Sequence, residues 1–434
     1  MHWGDVIEDF LEPAGLSFAD FRDEMTGGWM FNYIEALRLV GIRTVLVCIS
    51  RGATAPTRLV HRPTGTAMLV LPPARPYALL RGATVGWRSS EPVSGIRRRT
   101  YRSSRARLAS YIATPVRSLM RELRREGCDI ILCQEYDYPR FDVCVMLGGV
   151  SGRAVFASYQ GGVGAGTALE RALRRRAINR SAGVIVPTSA EQQRVQERYG
   201  LDPAKTARIF NPVDLSMWFP DDRRRGRQEL GIDSAARVAV WHGRVKLLEK
   251  GLDVLVEAWE RVCGERPGRD LRLVLVGTGD DSEELRRRIA ERELRGITWI
   301  DRYVLDRPAM RRYLSAGDVH VLPSRQEGLP VSILEAMACG LPVVAADASG
   351  VPDVFEDGEL SGGIVVPRGD AEALARELGA LLDDGERARE LGERARRRVE
   401  RRFSLEAVGP QLRGFFLGED GSGGPAHEVT EEHS

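Results

Sequence analysis

Short apolar runs alternate with helix-length segments along both halves of this chain, with a polar interruption near residue 212. In the first half, the runs that predict strands are Thr44 to Ile49, Ala67 to Leu71, Ile130 to Cys133, Ala154 to Tyr159 and Gly183 to Pro187. In the second half they are Arg237 to Trp241, Leu271 to Val276, Ile297 to Ile300, Val319 to Leu322, Val343 to Ala345 and Ile364 to Val366. Strands that alternate with helices indicate an α/β fold with parallel sheets, and two such series predict two Rossmann-like domains.

The polar interruption marks the predicted domain boundary. Asn211-Pro212-Val213-Asp214 breaks the alternation, and an arginine-rich segment from Asp221 to Gln228 follows it. A chain of 434 residues is long enough for two separate cores. We therefore divide it into domains at 1–212 and 213–403, a C-terminal helix at 404–417 that could cross back to the first domain, and a tail at 418–434. The tail is rich in Gly, Glu and Ser without an apolar period, which predicts disorder.

Composition is ordinary for a globular protein, with 43% apolar and 29% charged residues, and the net charge of +2 gives no general attraction to nucleic acid. Six scattered cysteines without a C-x-x-C pair favour reduced thiols and a cytoplasmic location. Apolar runs stay shorter than the roughly 18 residues of a membrane span, so any membrane contact is expected to be peripheral. Only three of the 63 basic residues are lysine, namely Lys205, Lys246 and Lys250. Arginine runs are therefore weak evidence for a site, whereas a lysine before a helix stands out.

The segment from Val319 to Ala345 predicts a strand, a turn, a helix and a second strand. We expect Pro330 to be the first helical residue and Gly340 to end the helix. The helix N-terminus favours anions, so the backbone amides of Gly328, Leu329 and Val331 are candidates to bind a diphosphate.

Two glutamates, Glu327 and Glu335, lie eight residues apart around the start of this helix. Side chains of a helix lean toward its N-terminus, so Glu335 can reach back to accept hydrogen bonds from ribose hydroxyls, while Glu327 on the loop would meet the sugar. A random pair of glutamates at this spacing is more often a pair of surface charges. The surrounding Glu-Gly-Leu-Pro and Leu-Glu-Ala-Met-Ala-Cys-Gly-Leu-Pro-Val-Val elements favour a binding site.

This run resembles the E-x7-E signature of the family 4 retaining glycosyltransferases. The resemblance is strong from Val238 to Pro367 and weak over residues 1–180. It implies a GT-B fold, an α/β architecture of two Rossmann-like parallel-sheet domains with a cleft between them, in which the N-terminal domain binds the acceptor and the C-terminal domain the nucleotide sugar. It also implies a metal-independent hexosyltransferase of glycan biosynthesis that uses no cofactor and retains the anomeric configuration. The absence of a D-x-D pair agrees with the metal-free expectation.

A Gly-Arg pair and a lysine follow the first strand of the second half. Arg244 can donate two hydrogen bonds to a phosphate, and Lys250 adds a compact charge just before a predicted helix. Taken alone, both are more often surface charges beside a helix. The family carries an Arg and a Lys at this place, so with Glu327 they are the predicted catalytic residues.

The first half offers weaker donor and acceptor signals. Gly27 and Gly28 precede a helical pattern and are similar to the family's glycine loop over the donor, although a plain turn is an alternative and a long strand before them is missing. Gln160 stands where many relatives have a histidine, and the glycines that follow it fit neither the P-loop nor the G-x-G-x-x-G pattern. Glu135 and Asp137 are candidate acceptor contacts or solvated loop carboxylates.

Two residues of the second half, Arg302 and Tyr303, sit where relatives hold the nucleotide base. The predicted partners are thus a nucleotide-diphosphate sugar and a small-molecule, glycan or lipid-linked acceptor. A basic amphipathic segment at 97–125 carries ten arginines and one acid, Glu122, and could rest on anionic lipid. Two alternatives stay open: a GT-B nucleotide-sugar epimerase or phosphorylase, and a non-catalytic sugar-nucleotide-binding partner of another transferase, which the change to Gln160 would suit.

Overall fold

The computed structural model describes residues 2–3, 11, 15–74, 77, 111–161 and 167–419. The predicted tail from residue 420 onward and residues 97–110 of the basic segment lie outside the described residues.

The N-terminal sheet has eight described strands in the order β3-β4-β2-β1-β5-β6-β7-β8. Neighbouring strands are parallel except for the β3–β4 pair, which is antiparallel. The strands are β1 (His2–Trp3), β2 (Val45–Ile49), β3 (Thr57–His61), β4 (Thr66–Leu71), β5 (Ile130–Gln134), β6 (Ala154–Ser158), β7 (Gly183–Val186) and β8 (Thr206–Arg208).

The C-terminal sheet has six described strands, all parallel, in the order β11-β10-β9-β12-β13-β14. They are β9 (Arg237–His242), β10 (Leu271–Val276), β11 (Ile297–Ile300), β12 (Val319–Leu322), β13 (Val343–Ala346) and β14 (Gly363–Val366). This is the strand order of a doubly wound Rossmann sheet: β9, β10 and β11 are added in one direction, and β12, β13 and β14 are added on the other side of β9. In such sheets ligands bind beyond the carboxyl ends of the strands at this switch point.

Helices connect the strands and cover both sheets. In the first domain they are α1 (Phe18–Asp23), α2 (Gly28–Leu39), α3 (Val116–Arg125), α4 (Pro139–Ser151), α5 (Ala168–Arg180) and α6 (Ser189–Tyr199). From residue 223 onward they are α7 (Arg223–Glu229), α8 (Leu252–Gly264), α9 (Ser282–Glu291), α10 (Arg307–Ser315), α11 (Val331–Ala338), α12 (Val351–Val354), α13 (Ala371–Asp383), α14 (Gly385–Arg402) and α15 (Leu405–Leu417).

Apolar burial explains why the second sheet is so regular. Its strands carry near-continuous apolar runs because helices cover both faces, and one buried cluster lies on each side of the sheet. In α8, Leu252, Leu255, Val256 and Trp259 recur at helical spacing and are buried, so they form the apolar face of this helix.

Helix α15 extends beyond the second domain and packs on α2 of the first. Leu405, Val408, Leu412 and Phe416 share a buried cluster with Tyr33 and other residues of the first domain. Gly409 allows the close approach, since a Cβ there would lie 2.7 Å from the Ala36 carbonyl oxygen. The domain boundaries given above stay a prediction.

Each strand predicted from the sequence is present, with ends that differ by at most one residue. The prediction was wrong in omitting β3, β8 and the two-residue β1. Strand β3 is an antiparallel edge strand with mostly exposed residues, so it needs no apolar run, and β8 is a short strand at the other edge. Pro330 was also misplaced by one position, because it is the N-cap of α11 and Val331 is the first helical residue.

Candidate active site

A cavity of about 720 Å³ opens between the two domains, where the carboxyl ends of strands from both sheets meet. Its N-terminal wall includes Gly27, Gly28, Gln134, Glu135, Tyr138, Arg140, Gln160 and Gly161. Its C-terminal wall includes His242, Gly243, Arg244, Gly277, Asp280, Arg302, Tyr303, Arg307, Val331, Ser332 and Glu335. Among the described residues, arginines outnumber carboxylates in this lining, which suits an anionic ligand.

Glu335 lies on α11 in the C-terminal wall, with its side chain almost buried. Its carboxylate Oε2 accepts a hydrogen bond from the His242 Nε2 at 2.9 Å, and His242 is the last residue of β9. The His242 Nδ1 in turn lies 3.2 Å from the Nε2 of His320 on the adjacent strand β12. The structure therefore ties Glu335 to both strands that flank the switch point.

Lys250 and Glu327 form an ion pair at 2.9 Å. Lys250 precedes Gly251, which caps α8 in a left-handed conformation; a Cβ at Gly251 would lie 1.9 Å from the Pro323 carbonyl oxygen. This close approach brings the loop after β9 against the loop after β12 and so brings the lysine to the glutamate. Neither residue lines the cavity, although Gly328 beside Glu327 lies against Gly161, where an added Cβ would be 3.9 Å from the Gly328 Cα.

Arg244 and Arg302 are exposed side chains of the C-terminal wall. Neither forms an ion pair with a residue that the structure describes. The loop that carries Arg244 packs backbone to backbone against the loop after β10, because a Cβ at Gly277 would lie 1.9 Å from the Gly243 carbonyl oxygen. The packed loop after β9 thus presents the Arg244 guanidinium group to the cavity, and Arg302, after β11, presents a second one; guanidinium groups suit phosphate oxygens.

Glu135 is the most unusual residue of the N-terminal wall. It directly follows β5, is 6% exposed and has a φ of 77°, which is uncommon for a residue other than glycine. Its carboxyl Oε2 accepts a hydrogen bond from the backbone N–H of Gln160 at 3.0 Å. Burial raises the pKa of Glu135 to about 8, and the nearby Asp137 carboxylate adds to the rise. At neutral pH this carboxyl group is therefore largely protonated and can donate a hydrogen bond to a ligand.

Asp137, by contrast, does not line the cavity. Its carboxylate lies 3.3 Å from Arg194, which also binds Glu191 and the Tyr136 hydroxyl. This buried network lies behind Glu135, so Asp137 supports the wall. Its contact with an acceptor stays a prediction, and the structure places its carboxylate beside Arg194, outside the cavity lining.

Gln160 lines the cavity, but its amide is already paired with Asn211. The Gln160 Nε2 donates to the Asn211 Oδ1 at 3.2 Å, and the Asn211 Nδ2 donates to the Gln160 Oε1 at 3.0 Å. This reciprocal pair fixes the Gln160 side chain where relatives were expected to have histidine. The Gln160 side chain can still bind a sugar hydroxyl through the second N–H of its amide and the second lone pair of its oxygen.

The Gly27-Gly28 turn is held across the cleft. Arg307 of α10 donates a hydrogen bond from its Nε to the Thr26 carbonyl at 2.9 Å. Gly27 is the N-cap of α2 with a φ of 66°, and Gly28 is the first helical residue. The second domain therefore positions the turn that opens onto the cavity.

Of the predicted site residues, the structure brings to the cavity Gly27, Gly28, Glu135, Gln160, Arg244, Arg302, Tyr303, Val331 and Glu335. It does not bring there Lys250, Glu327, Gly328, Leu329 or Asp137. The sequence reasoning missed His242, Arg307 and Arg140. His242 had a usable signal, since it directly precedes Gly243-Arg244, whereas the two arginines do not stand out in a chain whose basic residues are almost all arginine.

Two family models match this chain. The model described as Glycosyltransferase Family 4 matches residues 30–217, and the model described as Glycosyl transferases group 1 matches residues 236–384. Together they cover both domains and most of the cavity lining.

Curated relatives are 30 to 31% identical to the chain over the part that aligns. Alpha-maltose-1-phosphate synthase of Mycolicibacterium smegmatis is 30% identical over 263 residues, which is 57% of this chain and 66% of the relative. Alpha-D-kanosaminyltransferase of Streptomyces kanamyceticus is 31% identical over 247 residues, which is 56% of this chain and 62% of the relative. The matches thus span less than two thirds of these relatives' length.

Among solved structures, sucrose-phosphate synthase from Thermosynechococcus elongatus superposes with a TM-score of 0.66 at 22% identity, covering 92% of this chain and 96% of that one. This likeness shows that the two parallel-sheet domains form a GT-B fold, as the sequence predicted. From the two matched family models and the homology to curated transferases, the chain belongs to the family 4 glycosyltransferases.

Proposed function

We propose that this protein is a retaining glycosyltransferase that moves a hexosyl group from a nucleotide-diphosphate sugar to an acceptor hydroxyl without a metal ion. The observation that carries the proposal is the C-terminal wall: an exposed, unpaired Arg244 and a buried Glu335 line one cavity at the switch point of a doubly wound sheet. Family membership and the matched transferases support the same reading.

The diphosphate is the group that this wall suits best. Arg244 supplies a forked donor, and α11 begins beside it with Val331 and Ser332 in the cavity lining. The amides of Gly328 and Leu329 donate no hydrogen bond to an acceptor that the structure describes, so they are available to a ligand at the mouth of this helix. Arg302 and Tyr303 would lie along the base, and Gly27 and Gly28 would close over the phosphates.

Lys250 and Glu327 complete the proposed catalytic set from the edge of the cavity. Their ion pair holds the ammonium beside the loop that leads into α11. A positive group at that place would offset the charge that develops on the leaving diphosphate. Glu327 would then meet hydroxyls of the transferred sugar as that loop contacts Gly161.

In this mechanism the acceptor hydroxyl attacks from the same face as the leaving group. Its proton passes to the departing phosphate oxygen as the new glycosidic bond forms and the old bond breaks, so the anomeric configuration is retained. Glu135, protonated in its buried site, would donate a hydrogen bond to a sugar or acceptor hydroxyl from the N-terminal wall.

For the donor we propose a UDP-sugar as the first candidate. A solved structure of Anabaena HepE bound to UDP-glucose has a TM-score of 0.68 with this chain at 17% identity, covering 91% of this chain and 98% of that chain. The acceptor class stays a small molecule, a glycan or a lipid-linked glycan.

Purified protein should be incubated with UDP-, GDP-, ADP- and dTDP-hexoses, and the products followed by proton NMR. Slow donor hydrolysis or transfer with an unchanged anomeric configuration supports the proposal. Inversion at a carbon of the intact donor would indicate an epimerase instead. Binding seen as a thermal shift without any turnover would favour the non-catalytic partner, which the paired amide of Gln160 makes worth testing.

We also propose a cytoplasmic protein with peripheral membrane contact through 97–125, on narrower grounds. All six cysteines are unpaired thiols. In the described residues, no helix has both the length and the apolar character to cross a bilayer. The apolar face of α3 is not available for lipid, because Leu119 and Leu123 pack in the core, so contact there would rest on the exposed Arg117, Arg121 and Arg124. Flotation with anionic and neutral liposomes tests this proposal. If the protein binds neither kind of liposome, or binds both equally, the proposed membrane contact is contradicted.

A further inference from the structure

Two buried histidines lie at the switch point of the C-terminal sheet, and the proposed transfer reaction assigns them no part. His320 on β12 is fully buried, and His242 at the end of β9 is 8% exposed and lines the cavity. Their rings meet edge to face with centroids 5.2 Å apart. Burying two imidazole rings costs free energy, because each polar nitrogen that lacks a partner loses the hydrogen bonds it would make in water.

The hydrogen-bond partners fix where the protons of this pair lie. An ionised carboxylate only accepts, so the His242 Nε2 must carry the hydrogen that Glu335 receives. When His242 is neutral, its Nδ1 is then an acceptor, and the His320 Nε2–H donates to it. Burial and the neighbouring His242 hold the pKa of His320 well below its ordinary value, so His320 stays neutral and keeps this donor.

The remaining nitrogen agrees with this assignment. The His320 Nδ1 is buried without a partner. In the proposed tautomer it is a bare lone pair, which is less costly to leave alone than a buried N–H group. The chain His320 to His242 to Glu335 therefore has one internally consistent direction of donation, ending on the Glu335 Oε2.

We infer that His242, backed by His320, is a positioning residue that holds one oxygen of the Glu335 carboxylate so that the other stays aimed into the cavity at the vicinal hydroxyls of a nucleotide ribose. The inference rests on the proposed function, because it needs a nucleotide in this cavity. The Glu335 Oε1 forms no hydrogen bond with a residue that the structure describes and is not among the buried oxygens that lack partners, so it is open to a ligand.

The consequence is an affinity that depends on the ribose. A carboxylate that accepts from His242 keeps one rotamer before the ligand arrives, so less conformational entropy is lost on binding. Removing the imidazole frees Glu335 to turn away. The loss should fall on binding of ribose hydroxyls and leave the diphosphate contacts at Arg244 unchanged.

The test compares ligands with and without the ribose hydroxyls on the same folded variant. Binding of UDP, GDP and ADP and of their 2′,3′-dideoxy counterparts is measured by calorimetry for wild type, His242→Phe, His242→Gln and His242→Asn. For the nucleoside diphosphate that wild type binds, we expect His242→Phe to lower the affinity by about 10-fold, the size of one lost hydrogen bond to a charged group. The affinity of the same variant for the dideoxy form of that ligand should change by less than about 2-fold. Turnover should show the same loss in KM for the donor with kcat nearly kept.

The two amide variants guard against a variant that fails to fold and separate position from mere polarity. Glutamine can place its amide nitrogen near the imidazole Nε2, whereas asparagine is too short and reaches only the Nδ1 position. His242→Gln should therefore recover most of the preference for the ribose hydroxyls, and His242→Asn should not. Equal losses for ribose and dideoxy ligands, or no rescue by glutamine, would overturn the positioning role. Wild type that binds none of the three diphosphates would instead overturn the proposed function itself.

Discussion

The two walls of the cavity are built in different ways. The C-terminal wall couples Glu335 to His242 and leaves Arg244 exposed, and Glu327 pairs with Lys250 outside the cavity lining of the same domain. The N-terminal wall buries Glu135 in a left-handed backbone conformation and raises its pKa, and it pairs Gln160 with a neutral amide.

This difference indicates a division of chemistry. The C-terminal wall has its charges arranged before any ligand arrives, as a site for a diphosphate requires. Apart from Arg140, the polar side chains that the structure describes in the N-terminal wall, among them Glu135 and Gln160, are neutral donors and acceptors at pH 7, which match hydroxyl groups. We therefore expect substitutions in the C-terminal wall to act on the leaving group and those in the N-terminal wall to act on hydroxyl recognition and on its pH dependence.

The largest expected effect is that of Lys250→Ala. Removing a cation that stabilises developing negative charge typically lowers turnover by about 10²-fold to 10³-fold. The measurement is kcat for transfer or donor hydrolysis at saturating donor. Lys246→Ala is the matched control, because Lys246 lies on the same loop and, among the residues that the structure describes, its ammonium pairs with the exposed Asp280 and not with Glu327. Equal activity of the folded Lys250→Ala variant and wild type would remove Lys250 from the catalytic set.

A smaller loss should follow from Arg244→Lys. Lysine keeps the charge but cannot form the two parallel hydrogen bonds of a guanidinium group, so we expect kcat/KM for the donor to fall by about 10-fold. Arg272→Lys is the control, since Arg272 is a half-exposed residue of β10 paired with Asp270. A lysine variant that keeps full kcat/KM would show that only charge is needed at this place.

Glu135→Gln sharpens the comparison through pH. The folded-state pKa of Glu135 is raised to about 8, so the unfolded chain releases its proton near pH 4.5 while the folded protein keeps it. Folding stability should therefore fall as pH rises through the window from about 4.5 to 8, with a contribution of at most about 1.4 kcal/mol per pH unit from this group.

Urea midpoints of wild type and Glu135→Gln across that window give the measurement. The glutamine variant should lose this part of the pH dependence of folding stability. Compared with wild type, it should therefore be more stable at pH 8 than it is at pH 5. Parallel pH profiles for the two proteins would contradict the buried, protonated state of Glu135.

The smallest expected effect concerns one of the contacts between the two domains, outside the cavity lining. Asp353 of α12 accepts from the Ser189 amide and hydroxyl and from Arg208 of the first domain. We expect Asp353→Ala to raise the donor KM by about 3-fold, because part of the binding energy is then used to hold the domains closed, with kcat nearly unchanged. Glu359→Ala, which removes an ion pair within the second domain, is the control. An unchanged KM would show that this contact does not limit closure.

The same contrast between the walls explains what the sequence could predict. The second sheet was predictable because both of its faces are buried, so Leu271–Val276 and Val319–Leu322 are apolar apart from one residue each, Arg272 and His320. The edge strand Thr57–His61 was not, since exposed residues carry no such period. Arg244 and Glu335 were found from short motifs with neighbouring glycine or proline residues. The ion pair of Lys250 with Glu327, by contrast, joins residues 77 positions apart that only the fold brings together.

Hydrogen exchange followed by mass spectrometry, with and without UDP, tests most directly the claim that the C-terminal wall holds the nucleotide diphosphate. The account predicts protection of backbone amides at 243–251 and 328–335, with weaker change at 27–31. Protection confined to the N-terminal wall, or to the separate arginine-lined cavity around 385–397, would contradict it.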